Sequence, residues 1–568
     1  MRGPVAPKDP VKKNSFFYVL QEQDIFAAPT PEKKGVQFIY QDDGRLLTSA
    51  RINGRITDEQ ILELLTTTKG FRKLVAAIGV SIIEETGKEQ IKFVYQMYGK
   101  TDPYRSGTSI ERMVQGNGVE EIIDLSEIAW SDDDKEPGQI RFEFARSEIQ
   151  AKVSVLFYVK EGFTVPQVVE KEKVNADTPA YQQMIARSLI HLGNTARIKK
   201  AIKKAQNGED VTIAYIGGSI TQGAGAVPIH RMSYAYRSYQ DFCRNYASGE
   251  NIHFIKAGVG GTPSELGMIR FERDVLRDGS AAPDIIVIEF AVNDEGDETK
   301  GRCYDSLVRK ALSQPNAPAV VLLFAVFADD FNLQDRLGVV GKTYDLPMVS
   351  IKNAVTEQFN FTKETGRVVS KNAFFYDRYH PSNTGHMIMK DCLDYLFAQA
   401  LQTPEEEDNT TKLLQENTAI GKEFEKVQLF DRKTGCSAVK NVYAGDFFHV
   451  DSVLQCVEMD DILQPKPQFP DNWHYDGTGE NRPFCMDVAC KSLIIVHKDS
   501  NDIDAGKIDC FIDGKKVKTI DPLEIGWTHC GPVILFEDEQ TALHHVEIRM
   551  AAGDEKKKST ILGWGIVE

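Results

Sequence analysis

The spacing of apolar positions changes along this chain, and each change predicts a different kind of element. From about residue 14 to 172, apolar residues fall in short runs, Val36–Tyr40, Ile140–Phe144 and Ala151–Val159, the second alternating strictly with polar positions. That pattern predicts half-exposed sheet, hence a β-rich accessory domain over 1–175, with one helix over Asp58–Thr67. Between Pro179 and Gln206 the apolar set Tyr181, Met184, Ile185, Leu189, Leu192, Ile198 and Ile202 predicts one amphipathic helix. Strand-like runs near 211–216, 253–257, 285–291, 319–327 and 347–351 then alternate with helix-like stretches. This is the pattern of an α/β domain over 176–402, a five-stranded parallel sheet with helices on both faces. Pro404–Thr411 is acidic and marks a linker or mobile helix over 403–423. Short strands return in Ser492–His497, Val533–Phe536 and His545–Arg549. They predict a C-terminal β-sandwich over 424–568, jelly-roll-like.

Composition narrows the class. The 568 residues leave room for roughly three to four domains. Eighty-three acidic against 67 basic residues, a formal charge of −16, argue against nucleic acid or an anionic membrane as partner. No stretch is long and apolar enough for a transmembrane helix, and the early run Phe16–Leu20 is too short for a signal sequence, which predicts a cytoplasmic protein. The nine cysteines are odd in number and Cys485 and Cys490 are separated by four residues rather than two, so most are expected as small buried hydrophobes of a reduced protein.

The candidate chemistry begins in Val211–Gly225, where a β-branched run enters a turn with glycines at 217, 218 and 223 around Ser219. Such a turn holds Ser219 at the carboxyl edge of a sheet, where α/β folds bind ligands. A phosphate loop would need a lysine between Gly217 and Gly225, and none is there; an α/β-hydrolase elbow would need glycine where Thr221 stands. Three blocks follow downstream. Phe254–Thr262 is a short strand ending in a glycine-rich turn, Asp284–Asp294 an apolar strand with Asn293 at its end, and Asp377–His386 a loop entering an amphipathic helical run, Met387–Leu401.

In this order and at these separations the four blocks resemble the SGNH (GDSL-type) hydrolase family over about residues 180–402. The resemblance implies Ser219 as nucleophile, Asp377 and His380 as the rest of a triad, and Gly261 and Asn293 joining the Ser219 N–H as oxyanion donors. Two positions depart from the family pattern: Gly218 replaces the Asp before the serine, and Ala291 replaces the Gly two residues before Asn293. The Gly-Gly-Ser-Ile-Thr variant resembles the carbohydrate-deacetylating branches. The substrate so implied is an acetylated oligosaccharide such as a xylan or mannan fragment, with no cofactor. The residue types suit acyl transfer: a serine hydroxyl needs an imidazole to take its proton, a carboxylate must orient that imidazole, and donors must meet the oxyanion.

Each residue also has a plainer role open to it. Asn293 at a strand end is a common turn former, and His380 before Pro381 suits a helix-entry loop. Asp294 would either brace the nucleophile loop or cap the next segment. His380, His386 and Asp377 do not have zinc-ligand spacing, and no paired cysteines lie near, so no metal is expected. Trp473, His474, Trp527, His529 and Trp564 offer either sugar-stacking faces or sandwich core, with Trp527, His529 and Trp564 the candidates for substrate binding. Two other readings share the four blocks: a short-chain lipid or thioester hydrolase, and a non-catalytic carbohydrate-binding protein.

Overall fold

The computed structural model describes residues 15–568; the start of the expected first domain, 1–14, lies outside the described residues. Two antiparallel sheets form the N-terminal part. One has four strands, in the order Phe16–Phe26, Gln150–Val159, Val75–Glu84, Glu121–Asp124; the other has five, from Ala28–Pro29 to Ser109–Gln115. Ile140, Phe142 and Phe144 are buried while Arg141 and Glu143 are half-exposed, as their alternation predicts, and both sheets contribute to one core. The single helix expected at 58–67 is two, Glu59–Leu64 and Thr68–Leu74, because Thr67 caps a new helix by accepting from Gly70 N. A further helix, Arg45–Ile52, precedes them.

The central sheet has six strands: Leu189–His191 (β1), Val211–Gly217 (β2), Ile252–Gly258 (β3), Ile285–Glu289 (β4), Ala319–Phe324 (β5) and Met348–Ser350 (β6). Their order is β1-β6-β5-β4-β2-β3. The last five in sequence are parallel, and β1 adds an antiparallel edge. That edge corrects the expected helix over 179–206. The helical pattern is divided into Pro179–Ala186 and Ala196–Gln206, with β1 between them. The interruption has a local cause: the Ser350 N–H donates to Ser188 O at 2.7 Å, and Gly193 turns the chain back at φ 59°. Along β2, Val211, Ile213 and Tyr215 enter one core while Ala214 and Ile216 enter the other, so both sheet faces are dry.

Residues 403–423 are not a loose tether. Thr195 N donates to Glu406 Oε1 at 2.7 Å, Arg197 pairs with Asp408 at 2.8 Å, and Thr410–Glu416 is helical. Beyond them, eight strands form one antiparallel sheet around Phe484–Asp499, His529–Met550 and Ser559–Val567. One face of this sheet closes on its own core; Ile494, Val496, Leu562 and Val567 instead join the core of the central layer. Among the described residues no helix is long and apolar enough to cross a membrane.

Trp564 belongs to that C-terminal core. It is fully buried and stacks on Phe484 at 5.7 Å between ring centroids, so it presents no face to a sugar; Trp473, also buried, packs edge-on with the same ring at 5.2 Å. The stacking role expected for Trp564 is thereby replaced by a packing role. Trp564→Ala is expected to destabilise the C-terminal part by about 3–5 kcal/mol, read as a lower denaturation midpoint.

Candidate active site

β2 ends at Gly217 and the chain turns directly into a four-residue helix, Ser219–Gln222, which lifts Ser219 to the carboxyl edge of the sheet. The turn has no room for side chains. A Cβ on Gly217 would lie 2.2 Å from Thr221 Oγ1, and one on Gly218 would lie 2.2 Å from Asn293 Oδ1. The Asn293 carboxamide therefore occupies the space that any side chain at position 218 would enter. Beneath the turn, the fully buried Arg270 donates to Ala257 O at 2.7 Å and Gly217 O at 2.9 Å, tying the ends of β2 and β3 together.

The loop after Phe375 brings the remaining groups. Gly225 permits its approach, since a Cβ there would strike Pro381 O at 2.1 Å and His380 Cβ at 3.0 Å. His380 Nε2 lies 3.0 Å from Ser219 Oγ, and its Nδ1 lies 2.9 Å from Asp377 Oδ2. A carboxylate oxygen only accepts, so Nδ1 carries the hydrogen and Nε2 faces the serine as an acceptor. The other Asp377 oxygen accepts from the Tyr379 and His380 N–H groups, both at 2.8 Å. Burial alone would raise the Asp377 carboxyl, but His380, Arg45 and these hydrogen bonds hold it below the usual carboxylate range. Ser382 then caps the helix Asn383–Gln402, accepting from Thr384 and Gly385 N–H.

Arg45 comes from the N-terminal part and was not legible in the sequence. Its Nε stands 3.8 Å from Asp377 Oδ2, and its guanidinium lies over the Tyr379 ring at 4.9 Å. Tyr379 OH in turn donates to Asp43 at 2.8 Å. No spacing rule joins residue 45 to residue 377; only the packing of the two parts does.

Gly261 sits at φ 72° beside the serine, and its N–H has no partner among the described residues. The Asn293 side chain lies against Gly218, its Oδ1 buried without a partner. Asp294 does not touch the nucleophile turn, one of its expected uses. It holds the start of the helix Ser264–Ile269, just after the glycine turn, accepting from Ser264 N at 2.8 Å and Ser264 Oγ at 2.7 Å. Burial raises its carboxyl to about 7. Glu289, at the end of β4, is fully buried and accepts from Thr221 Oγ1 at 3.1 Å; burial pushes it up to about 8.

Of the C-terminal candidates, Trp527 and His529 reach this region and Trp564 does not. The Trp527 ring, 39% exposed, covers Gly261, where an added Cβ would meet its Cζ2 at 2.7 Å. His529 is buried, with Nδ1 2.7 Å from Asp499 Oδ2 and Nε2 3.1 Å from Gly261 O, so it holds main chain rather than offering a stacking face. Gln455, absent from the sequence reading, donates to Gly260 O at 2.8 Å. His386 is structural: Nδ1 accepts from Tyr234 N and Nε2 donates to Ala224 O, both at 3.1 Å, and burial lowers its pKa to about 3. Among the described residues two acidic groups have metal-ligand proximity, Glu265/Asp297/Cys303 and Asp241/Asp391/Asp394. Asp297 is already filled by N–H donors of Thr299 and Gly301, and the Lys390 ammonium enters the second group; neither includes a triad residue.

Residues 215–388 match the model of the GDSL-like Lipase/Acylhydrolase family, in accord with the resemblance carried by the four blocks. No curated protein matches the chain at a significant level. Among solved structures it is similar to a two-domain esterase (CEX) active on acetylated mannans, and to the same esterase co-crystallised with mannopentaose. Identities are 24% and 23% and TM-scores 0.57 and 0.56; 68% of this chain is covered in both, with 99% and 98% of the other. A catalytic mutant of Axe2, an acetylxylan esterase from Geobacillus stearothermophilus, is 18% identical over 34% of this chain and 96% of its own, with a TM-score of 0.26. The first two share the fold; the third is too distant in overall geometry to add to that.

The buried acids make stability depend on pH in a definite direction. Glu289 titrates near 8 when folded against 4.5 in the free side chain, so the folded chain holds the extra proton between those values. Its stabilising share is complete below about 4.5 and is lost as pH rises through 8. Glu289→Gln, which cannot ionise, should flatten this decline by a few kcal/mol, roughly, read as melting temperature against pH.

Proposed function

We propose, from the premise that residues 215–388 carry a GDSL-like hydrolase domain, that this chain is a serine esterase removing O-acetyl groups from acetylated plant oligosaccharides of xylan or mannan type. The observation that carries the reading is the Ser219–His380–Asp377 relay, with contacts of 3.0 and 2.9 Å, beside an unpartnered Gly261 N–H. In this mechanism Ser219 Oγ attacks the acetyl carbonyl while His380 Nε2 takes its proton. Asp377 keeps the ring oriented and favours the imidazolium. The oxyanion is met by the N–H groups of Ser219 and Gly261 and by Asn293 Nδ2. His380 then protonates the departing sugar oxygen, leaving an acetyl-serine that a water molecule, deprotonated by the same imidazole, hydrolyses to acetate.

The Gly-Gly-Ser-Ile-Thr turn resembles the deacetylating branches, and the exposed Trp527 ring stands beside Gly261, where an apolar sugar face can stack. The structural likeness to an esterase active on acetylated mannans supports the fold on which such a site is built. The C-terminal part, expected as a β-sandwich, would take part through Trp527.

Acetate release from acetylated xylan and mannan oligosaccharides should disappear with Ser219→Ala. Asn293→Ala should lower kcat on the order of 100- to 1,000-fold with the fold retained by circular dichroism. Faster turnover of butyryl or longer esters than acetyl esters would instead favour a lipid or thioester hydrolase, and serine-independent sugar binding without hydrolysis would favour a binding protein.

A further inference from the structure

We propose that Gln455 is a positioning residue for the oxyanion hole, fixing the plane of the Gly260–Gly261 peptide from the C-terminal part of the chain. The inference rests on the esterase reading of the site and assigns a share in the chemistry to a part that the sequence offered only as a binding module.

Gly260 and Gly261 present two N–H donors and two carbonyl acceptors. Gly260 N donates to Gln222 Oε1 at 3.0 Å, Gly260 O accepts from Gln455 Nε2 at 2.8 Å, and Gly261 O lies 3.1 Å from His529 Nε2. One group is left, the Gly261 N–H, and it is the one an oxyanion needs. In a trans peptide the carbonyl and the following N–H point in opposite directions, so whatever holds Gly260 O also aims Gly261 N–H. A hydrogen bond on that carbonyl further polarises the peptide and strengthens the donor.

The clamp answers a weakness of the turn. Neither glycine has a side chain to lock its torsions, and Gly261 at φ 72° occupies a region that glycine leaves at little cost. A flip of this one peptide would turn a carbonyl toward the developing negative charge. Gln455 is placed to prevent it. It is 8% exposed, and its Oε1 accepts from Cys530 N at 3.1 Å, so the reversed amide would set oxygen against carbonyl and NH2 against N–H. His529, with Asp499 Oδ2 2.7 Å from its Nδ1, sets its ring edge against the next carbonyl, Gly261 O, at 3.1 Å. Gln455, Asp499 and His529 all lie C-terminal to the GDSL-like segment, 215–388.

The test compares wild type with Gln455→Met, which removes both amide bonds, and Gln455→Glu, which keeps the shape and the acceptor for Cys530 N but sets an oxygen against Gly260 O. On an acetylated oligosaccharide, kcat is expected to fall about 10- to 100-fold in both, with KM within about threefold and melting temperature nearly unchanged, a part of the loss caused by deleting an oxyanion donor outright. Affinity for methylboronic acid, whose tetrahedral adduct on Ser219 places an oxygen in the hole, should fall by the same factor as kcat. Retention of kcat within twofold in either folded variant, a loss confined to KM, or unchanged boronate affinity would overturn the proposal. Where Gln455→Met does not fold, Gln455→Glu decides. A wild type without Ser219-dependent hydrolysis overturns the esterase reading and this proposal together, whereas active wild type with equally active variants overturns only the clamp.

Discussion

A serine hydroxyl is a nucleophile here only while the His380 imidazole stays within hydrogen-bond reach, and the two residues lie 161 positions apart at a separation of 3.0 Å. Much of the central architecture follows from keeping that contact. It requires the end of β2 and the loop before the last helix of the central layer to approach more closely than side chains allow. Gly225 is where that approach happens, with Pro381 O 2.1 Å from where its Cβ would be, while Gly217 and Gly218 let the nucleophile turn close against Thr221 and Asn293, each 2.2 Å from the missing Cβ. The glycines bring the chain close, and the surrounding hydrogen bonds replace the rigidity that side chains would otherwise supply.

The charges beneath this edge are sorted by solvation. Asp377 remains anionic because His380, Arg45 and two N–H donors outweigh its burial. Glu289 and Asp294 are more deeply enclosed and lack a comparable set of cations, and burial raises both. One carboxylate is thereby kept charged where an imidazolium would form, and two others are biased towards neutral forms that brace neighbouring turns.

The central layer does not build this edge alone. From the N-terminal part, Arg45 meets Asp377 and Asp43 accepts from Tyr379. From the C-terminal part, Trp527 covers Gly261, Gln455 holds the Gly260 carbonyl and His529 packs against the Gly261 carbonyl. Residues of that sheet also continue the apolar core of the central layer, so the contacts at the glycine turn rest on a packed interface rather than a tether.

The sequence by itself determined the elements whose chemistry is local: the strands of the parallel sheet, the glycine turn around Ser219, the glycine turn at 260–261, and the short Asp377–His380 loop in which carboxylate and imidazole sit three residues apart. Periodicity and turn chemistry act over a few residues, which is why these were legible. The helix read over 179–206 failed for the same reason. Its apolar spacing fits a helix, but pairing with β6, more than 150 residues later, makes Leu189–His191 a strand. Trp564 and His529 were legible as residues but not as roles, since an indole packs a core or a sugar equally well and only burial decides. Arg45, Arg270 and Gln455 carry no local signature at all. Their partners lie at the ends of other elements, and a hydrogen bond to a distant carbonyl imposes no spacing on the sequence, so only the tertiary structure assigns them.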